Sequence, residues 1–155
     1  MAQFEDLFEY NEWANQQVLT VTDDLSPEQL AAPMPELGGS ALDLLAHTAK
    51  VEAAFLGLMM DDPSRLAPEM SEYARIREVF ATAAAGYREC LPGLTGDLGK
   101  RFEVPWFGRQ FTVEQALLQV ATHSVQHRAG ICAGIARAGK DAPNLDYIHW
   151  LYQFR

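Results

Sequence analysis

The chain has 155 residues, of which 48% are hydrophobic, and its 12 basic and 21 acidic residues give a formal net charge of −9. This length and apolar content predict a single domain over residues 1–155 with enough apolar side chain to fill a sizeable core. The negative charge repels phosphate backbones and anionic lipid headgroups, which argues against nucleic acid and membrane surfaces as partners.

The amino-terminal residues lack the basic start and the apolar stretch of a signal peptide. No apolar run approaches the roughly 18 residues that indicate a membrane span. We therefore expect a cytoplasmic protein. Cys90 and Cys132 are too few for a disulfide framework and lie in helical patterns, so both are expected to be reduced and buried.

The first part of the chain predicts one long helix and one short helical turn. Apolar residues recur at spacings of three and four from about Gln3 to Thr22, which indicates one apolar helix face. Ser26 then reads as an N-cap, with Pro27 in the first turn and Gln29 at the capping-box position. A loop rich in proline and glycine follows over residues 33–39.

The second long helix is predicted to begin after Ser40, an N-cap with Asp43 three residues later. Its predicted buried stripe contains a histidine and consists of Leu44, His47, Val51, Phe55 and Leu58. A third helix is predicted from about Glu69 to Leu91, where Pro92 and Gly93 would end it. Its inward residues are Tyr73, Ile76, Phe80, Ala83, Tyr87 and Cys90.

An aromatic segment over residues 101–111 fits either a short hairpin or an irregular loop, and the pattern favours neither. The aromatic patch within it, from Trp106 to Phe111, could cover the bundle end, roof a pocket or form a dimer contact. Thr112 and Gln115 form a capping box that opens the fourth long helix, which ends at Gly139. The apolar tail could form a closing helix or cover a neighbouring subunit.

Histidines supply the strongest chemical signal. His123 and His127 are four residues apart on the fourth long helix, so both imidazoles leave one face close enough to share a metal ion. His47 lies on the predicted inward stripe of another helix, where a neutral imidazole needs a buried partner. The alternative to a metal site is that all three histidines are core residues whose ring nitrogens form hydrogen bonds with other protein groups.

Three neutral nitrogen ligands suit zinc, nickel, ferrous iron or manganese and leave coordination positions free for water or substrate. Residues 124–126 are Ser, Val and Gln, so the glutamate of the His-Glu-x-x-His protease motif is absent. A zinc peptidase mechanism therefore lacks its expected base.

Three segments resemble the DinB-like, or YfiT-like, family of metal-dependent enzymes. They are residues 7–15 (LFEYNEWAN), residues 44–47 (LLAH) and residues 123–130 (HSVQHRAG), of which the last is the most specific. The resemblance covers nearly the whole chain. It implies an all-α fold, an up-down-down-up four-helix bundle, with a divalent metal held by His47, His123 and His127. It also implies a homodimer and a small-molecule substrate.

The activities of characterised relatives include transfer of low-molecular-weight thiols, such as bacillithiol, to electrophiles and thiol-dependent isomerisation, so the resemblance implies a thiol S-transferase. A non-catalytic protein that binds metal or a small ligand, and a metal-dependent hydrolase, are the alternatives, with a purely structural helical module as a further one. Fold alone does not decide among them.

Four other residues could contribute to the site. Arg128 points about 100 degrees away from His127 and could reach an anionic substrate, but we expect it to lie on the surface, paired with a carboxylate. Tyr10 and Trp13 are expected to be core aromatics, although they could line the pocket. His149, near the chain end, is expected to be a surface or packing residue rather than a ligand.

Overall fold

A computed structural model of the protein describes residues 2–155 and is mainly helical. The elements, in chain order, are α1 (Ala2–Thr22), α2 (Pro27–Leu30), α3 (Ala41–Met60), α4 (Tyr73–Gly96), β1 (Arg101–Val104), β2 (Arg109–Thr112), α5 (Val113–Arg137) and α6 (Tyr147–Phe154). Two single turns of 3-10 helix, Pro35–Leu37 and Pro63–Arg65, lie in the connections. The four long helices α1, α3, α4 and α5 form a bundle, as predicted.

Two apolar clusters, at opposite ends of the bundle, reveal the helix directions. The lower cluster joins the amino-terminal parts of α3 and α4 to the carboxyl-terminal parts of α1 and α5, through Val18, Leu19, Leu45, Ala49, Ile76, Phe80, Ile131 and Ile135. The upper cluster joins the opposite ends, through Phe8, Phe55, Leu56, Tyr87, Leu91, Val113, Leu117 and Val120. The helices α3 and α4 are therefore parallel to each other and antiparallel to α1 and α5, which is the up-down-down-up arrangement.

The parallel pair needs a connection that returns along the bundle, and residues 61–72 supply it. Ala67 and Met70 of this connection pack against the lower cluster. The same region explains one glycine, Gly86 of α4, which is buried. A Cβ there would lie 2.5 Å from Leu56 Cδ2 and 2.7 Å from Arg65 Nη1, so the close approach of α3 and the connection requires glycine.

Side-chain caps begin three of the helices where the sequence predicts them. Capping boxes occur at Ser26 before α2, at Ser40 before α3 and at Thr112 before α5. At Ser40 the hydroxyl accepts from the Asp43 N–H, while the Asp43 carboxylate accepts from the Ser40 N–H at 2.8 Å. The Asp43 carboxylate also accepts from the Ser40 hydroxyl. Both hydrogen bonds lower the pKa of Asp43, and the one from the backbone N–H has the larger effect.

The limits predicted for the third long helix were wrong at both ends. Helix α4 begins at Tyr73 rather than near Glu69, and it continues through Pro92 to Gly96. Beyond Pro92, Leu94 and Thr95 keep the buried face against the upper cluster, and Pro92 itself is exposed. Packing of the last turn therefore outweighs the hydrogen bond that a proline removes.

The aromatic segment forms a hairpin, in which β1 pairs antiparallel with β2 and Phe102 lies opposite Phe111. The tail forms α6, whose Trp150 is buried with Tyr10 and Ala14 of α1. Both segments therefore pack onto the bundle, and Val104 of β1 is buried within the upper cluster. Among the described residues, no helix combines the length and the apolar character needed to cross a membrane.

Removing the cap of α3 tests how firmly this helix, which carries His47, is anchored. We expect Ser40→Ala to lower the free energy of unfolding by about 1 kcal/mol, because the Asp43 N–H loses its acceptor. Urea denaturation measures the change. The control is Ser71→Ala, at an exposed serine outside the helices, which should change stability by less than about 0.5 kcal/mol.

Candidate metal centre

Three histidines from two helices meet in the groove between α3 and α5. His47 comes from α3, and His123 and His127 lie one turn apart on α5. The Nε2 atom of His123 lies 3.1 Å from Nε2 of His47 and 3.1 Å from Nε2 of His127. One ring nitrogen from each residue falls within 4.8 Å of the others, so the three side chains could hold one metal ion.

Hydrogen bonding among the rings accounts poorly for this arrangement. A single imidazole nitrogen carries either one proton or one lone pair, yet His123 Nε2 faces two ring nitrogens at once. Nitrogens bound about 2.0–2.1 Å from one ion lie about 2.9 Å apart at right angles and about 3.4 Å apart in a tetrahedron. The observed separations lie between these values, so the donor set fits a shared divalent ion.

The electrostatics of the cluster keep the rings of His123 and His127 neutral. Burial, followed by the neighbouring His127 and His47, lowers the pKa of His123 to about 4. Burial, and then His47, also lowers the pKa of His127. Both rings therefore hold a free lone pair at neutral pH, as a metal ligand must. The buried Nδ1 atom of His123 has no hydrogen-bond partner among the described residues.

The predicted burial of His47 was wrong, because its side chain is exposed while His123 and His127 are half-buried. The buried face of α3 instead runs one position away, through Leu45, Thr48 and Ala49. The cluster thus lies at the solvent edge of the groove rather than inside the core, which leaves one side of it open to small molecules.

Two glycines of α5 allow this helix to approach α3 closely beside the cluster. A Cβ at Gly130 would lie 2.7 Å from Leu44 Cδ1, and one at Gly134 would lie 2.9 Å from Ala41 Cβ. Larger residues would push the helices apart, and His47 would then move away from the histidine pair on α5. Gly130 closes the HSVQHRAG segment that carries the resemblance, whereas no sequence pattern distinguishes Gly134.

A buried polar layer lies behind the histidines, between the two apolar clusters. The Glu52 carboxylate, 2% exposed, accepts at Oε1 from Asn11 Nδ2 at 2.8 Å, Asn15 Nδ2 at 2.9 Å and Ser124 Oγ at 2.7 Å. Nη1 of Arg128 donates to Asn11 Oδ1 at 2.6 Å and to Asn15 Oδ1 at 2.7 Å. The two amides thereby bridge a buried carboxylate and a buried guanidinium.

The prediction that Arg128 lies on the surface was wrong, since this residue is only 2% exposed. Its guanidinium carbon lies 5.6 Å from the centre of the Tyr10 ring, and Tyr10 donates to the Leu145 carbonyl. Burial lowers the pKa of Arg128, while Glu52 opposes the shift. The prediction used only the geometry of one helix, which gives no information about a buried partner on another helix.

The polar layer is tied directly to the histidines along α5. Ser124 follows His123, and Arg128 follows His127, so each of these contacts fixes the rotation of the helix next to a histidine. The sequence signal for the layer was the presence of Asn11 and Ser124 on otherwise apolar helix faces. Glu52 was missed because it lies outside the predicted stripe of its helix.

Comparisons with known proteins agree with the helical fold. A sequence profile of the DinB family matches residues 1–153. The chain belongs to the DinB family. It is 26% identical to "Protein DinB" of Bacillus subtilis (strain 168) in an alignment that covers 94% of this chain and 92% of the relative. A crystal structure of a DinB-like protein from Bacillus cereus superposes with a TM-score of 0.69 at 17% identity, over 93% of this chain and 96% of that one.

Other residues weighed for a role lie apart from the histidines of this DinB-family chain. Tyr10 is buried, as expected, and Trp13 is half-buried, packed with Tyr10 and Trp150. His149 is exposed on α6 and does not join the cluster. Cys90 is buried and Cys132 is half-buried, and both thiols are free.

Deleting the buried guanidinium should test the polar layer. We expect Arg128→Ala to lower the free energy of unfolding by about 3–5 kcal/mol, because Glu52 keeps its buried charge without compensation. Arg137→Ala is the control, since Arg137 pairs with Glu36 on the surface and should contribute no more than about 1 kcal/mol. Equal effects of the two substitutions on urea unfolding would contradict a stabilising role for the layer.

Proposed function

We propose that the protein is a cytoplasmic, homodimeric enzyme in which His47, His123 and His127 hold one divalent metal ion. We propose that it transfers a low-molecular-weight thiol to an electrophilic carbon. The observation that carries the proposal is the convergence of three imidazoles on an open groove, where His123 Nε2 lies 3.1 Å from Nε2 of His47 and 3.1 Å from Nε2 of His127. Membership of the DinB family supports it, because the resemblance implies this donor set and this class of reaction.

A divalent ion held by His47, His123 and His127 would supply Lewis acidity, which would lower the pKa of a thiol bound beside it. The chain contributes imidazole rings with free lone pairs at His123 and His127, because burial lowers the pKa of both and brings that of His123 to about 4. It also contributes access, because exposed His47 leaves one side of the cluster open. Ser124 and Arg128, fixed by the polar layer, hold the histidine pair in position.

The transfer itself requires one bond to form and one to break. The sulfur of the small thiol attacks the electrophilic carbon, the new S–C bond forms, and the leaving group departs with the electron pair of its former bond to carbon. The thiol proton passes to solvent. The protein's own cysteines are poorly suited to replace the small thiol, because Cys90 is buried and burial raises the pKa of Cys132.

An aromatic cavity in the same groove offers a place for the electrophile. It has a volume of about 350 Å³ and is lined by Phe55, Phe107, Phe111 and Gln119, among others. Gln119 lies one helical turn before His123 on α5, so the cavity and the histidines follow one another along the groove. An apolar electrophile bound there would extend its reactive carbon toward the open side of the cluster.

Hydrolysis is the less favoured use of the same ion. Within residues 2–155 no carboxylate joins the three histidines as a possible further ligand. Metal-assisted hydrolysis usually employs a nearby general base as well as the ion. Thiol transfer has a weaker requirement, because a thiol is far more acidic than water.

The first test is the metal content of tag-free protein. We expect about one equivalent of divalent metal in the wild type and none in the His123→Ala/His127→Ala double variant, with helical content retained in both. His149→Ala is the matched control and should keep its metal, because that histidine lies outside the cluster. Failure of the wild type to bind zinc, nickel, manganese or ferrous iron on reconstitution would overturn the proposed centre.

The second test is thiol-dependent turnover by the metal-loaded protein. With 1-chloro-2,4-dinitrobenzene as the electrophile and bacillithiol, glutathione or cysteine as the thiol, we expect product formation that needs both thiol and ion. Cys132→Ser should retain this activity. Turnover of the electrophile in the absence of thiol would favour a hydrolase, and metal binding without turnover across the thiol panel would favour a binding protein.

A further inference from the structure

A second cavity lies between α1 and α4 and is lined by residues separate from the histidines. Its volume is about 320 Å³, and its lining includes Phe8, Tyr87 and Leu91, with Glu52 and Asn11 of the polar layer. The Phe8 and Tyr87 rings pack with centroids 4.5 Å apart. None of the three histidines borders the cavity, so the proposed metal chemistry does not use it.

The buried carboxylate of Glu52 is only half satisfied by the protein. Among the described residues, the Glu52 carboxylate accepts hydrogen bonds from Asn11, Asn15 and Ser124, and all three end on Oε1. Oε2 accepts no hydrogen bond from the described residues. It is also absent from the polar atoms among them that are both fully buried and without a partner, so Oε2 keeps some access to solvent. Since Glu52 borders the cavity, Oε2 is the acceptor that this cavity exposes.

The polar groups around the cavity favour a cation. Glu5, Glu9 and Glu12 lie at its rim in addition to Glu52, against a single guanidinium, that of Arg88. Arg88 pairs with Glu12, and Glu9 pairs with Arg155, so these charges are partly used. The Tyr87 hydroxyl donates to the Glu52 backbone carbonyl at 3.0 Å, which leaves the side-chain oxygen Oε2 free.

We propose that this cavity binds a small organic cation, a primary ammonium ion attached to a flat apolar group. The ammonium donates to Glu52 Oε2, and the apolar group packs against Phe8, Tyr87 and Leu91. An ammonium ion supplies the donor that a buried carboxylate oxygen lacks, and a charge-assisted bond of this kind is stronger than a neutral one. The aromatic walls add attraction for the same charge.

Benzylamine, which is cationic at neutral pH, is the probe, and benzyl alcohol is its neutral counterpart of similar shape. Calorimetric titration of the full chain should show benzylamine binding at least about tenfold tighter than benzyl alcohol. Glu52→Gln keeps the oxygen that accepts three hydrogen bonds but removes the charge, so it should abolish this preference. Arg88→Ala should strengthen benzylamine binding, because it removes the one cation at the rim.

Two further variants separate this site from folding and from the metal centre. Ala84→Leu adds bulk at a lining residue that makes no hydrogen bond to the polar layer and should abolish benzylamine binding even if Glu52→Gln unfolds. The His123→Ala/His127→Ala variant should bind benzylamine as the wild type does. Equal binding of the two probes by the wild type, or undiminished benzylamine binding by Ala84→Leu, would overturn the proposal.

Discussion

The carboxylate of Glu52 and the guanidinium of Arg128 lie at the same level along the bundle axis, within the core. The side-chain amides of two asparagines join them. Either charge buried alone would cost several kcal/mol, so α1, α3 and α5 can pack together in only one register. A slip of one helical turn, about 5.4 Å, would move a charge into one of the apolar clusters. The layer therefore contributes more to the uniqueness of the packing than to its net stability.

This constraint explains why the histidines meet at all. The contacts of Ser124 and Arg128 fix the rotation of α5, and the glycines at 130 and 134 fix its distance from α3. Given both, His123 and His127 face His47 across the groove without any distortion of the helices. The same buried glutamate borders the cavity on the other side of the bundle, so one residue links the two proposed sites through the core.

Much of this architecture was predictable because it depends on local patterns. Helix periodicity gave the four long helices, and capping boxes located the starts of α3 and α5, since a cap is formed by residues three apart. The family resemblance implied the bundle topology and the histidine set. Three errors, at Arg128, Pro92 and His47, have a common cause. Each error concerns how the residues around that position pack against neighbouring helices, and a single sequence does not carry that information.

The exposure of His47 has a kinetic consequence. An ion held by three ligands at the solvent edge of a groove can leave, or be replaced, without any opening of the bundle. Water and competing chelators would reach such an ion directly, so its residence time would depend on ligand strength and not on protein motion. Occupancy in a cell would then follow the supply of free metal ions, and the protein would exchange one divalent metal for another as that supply changes.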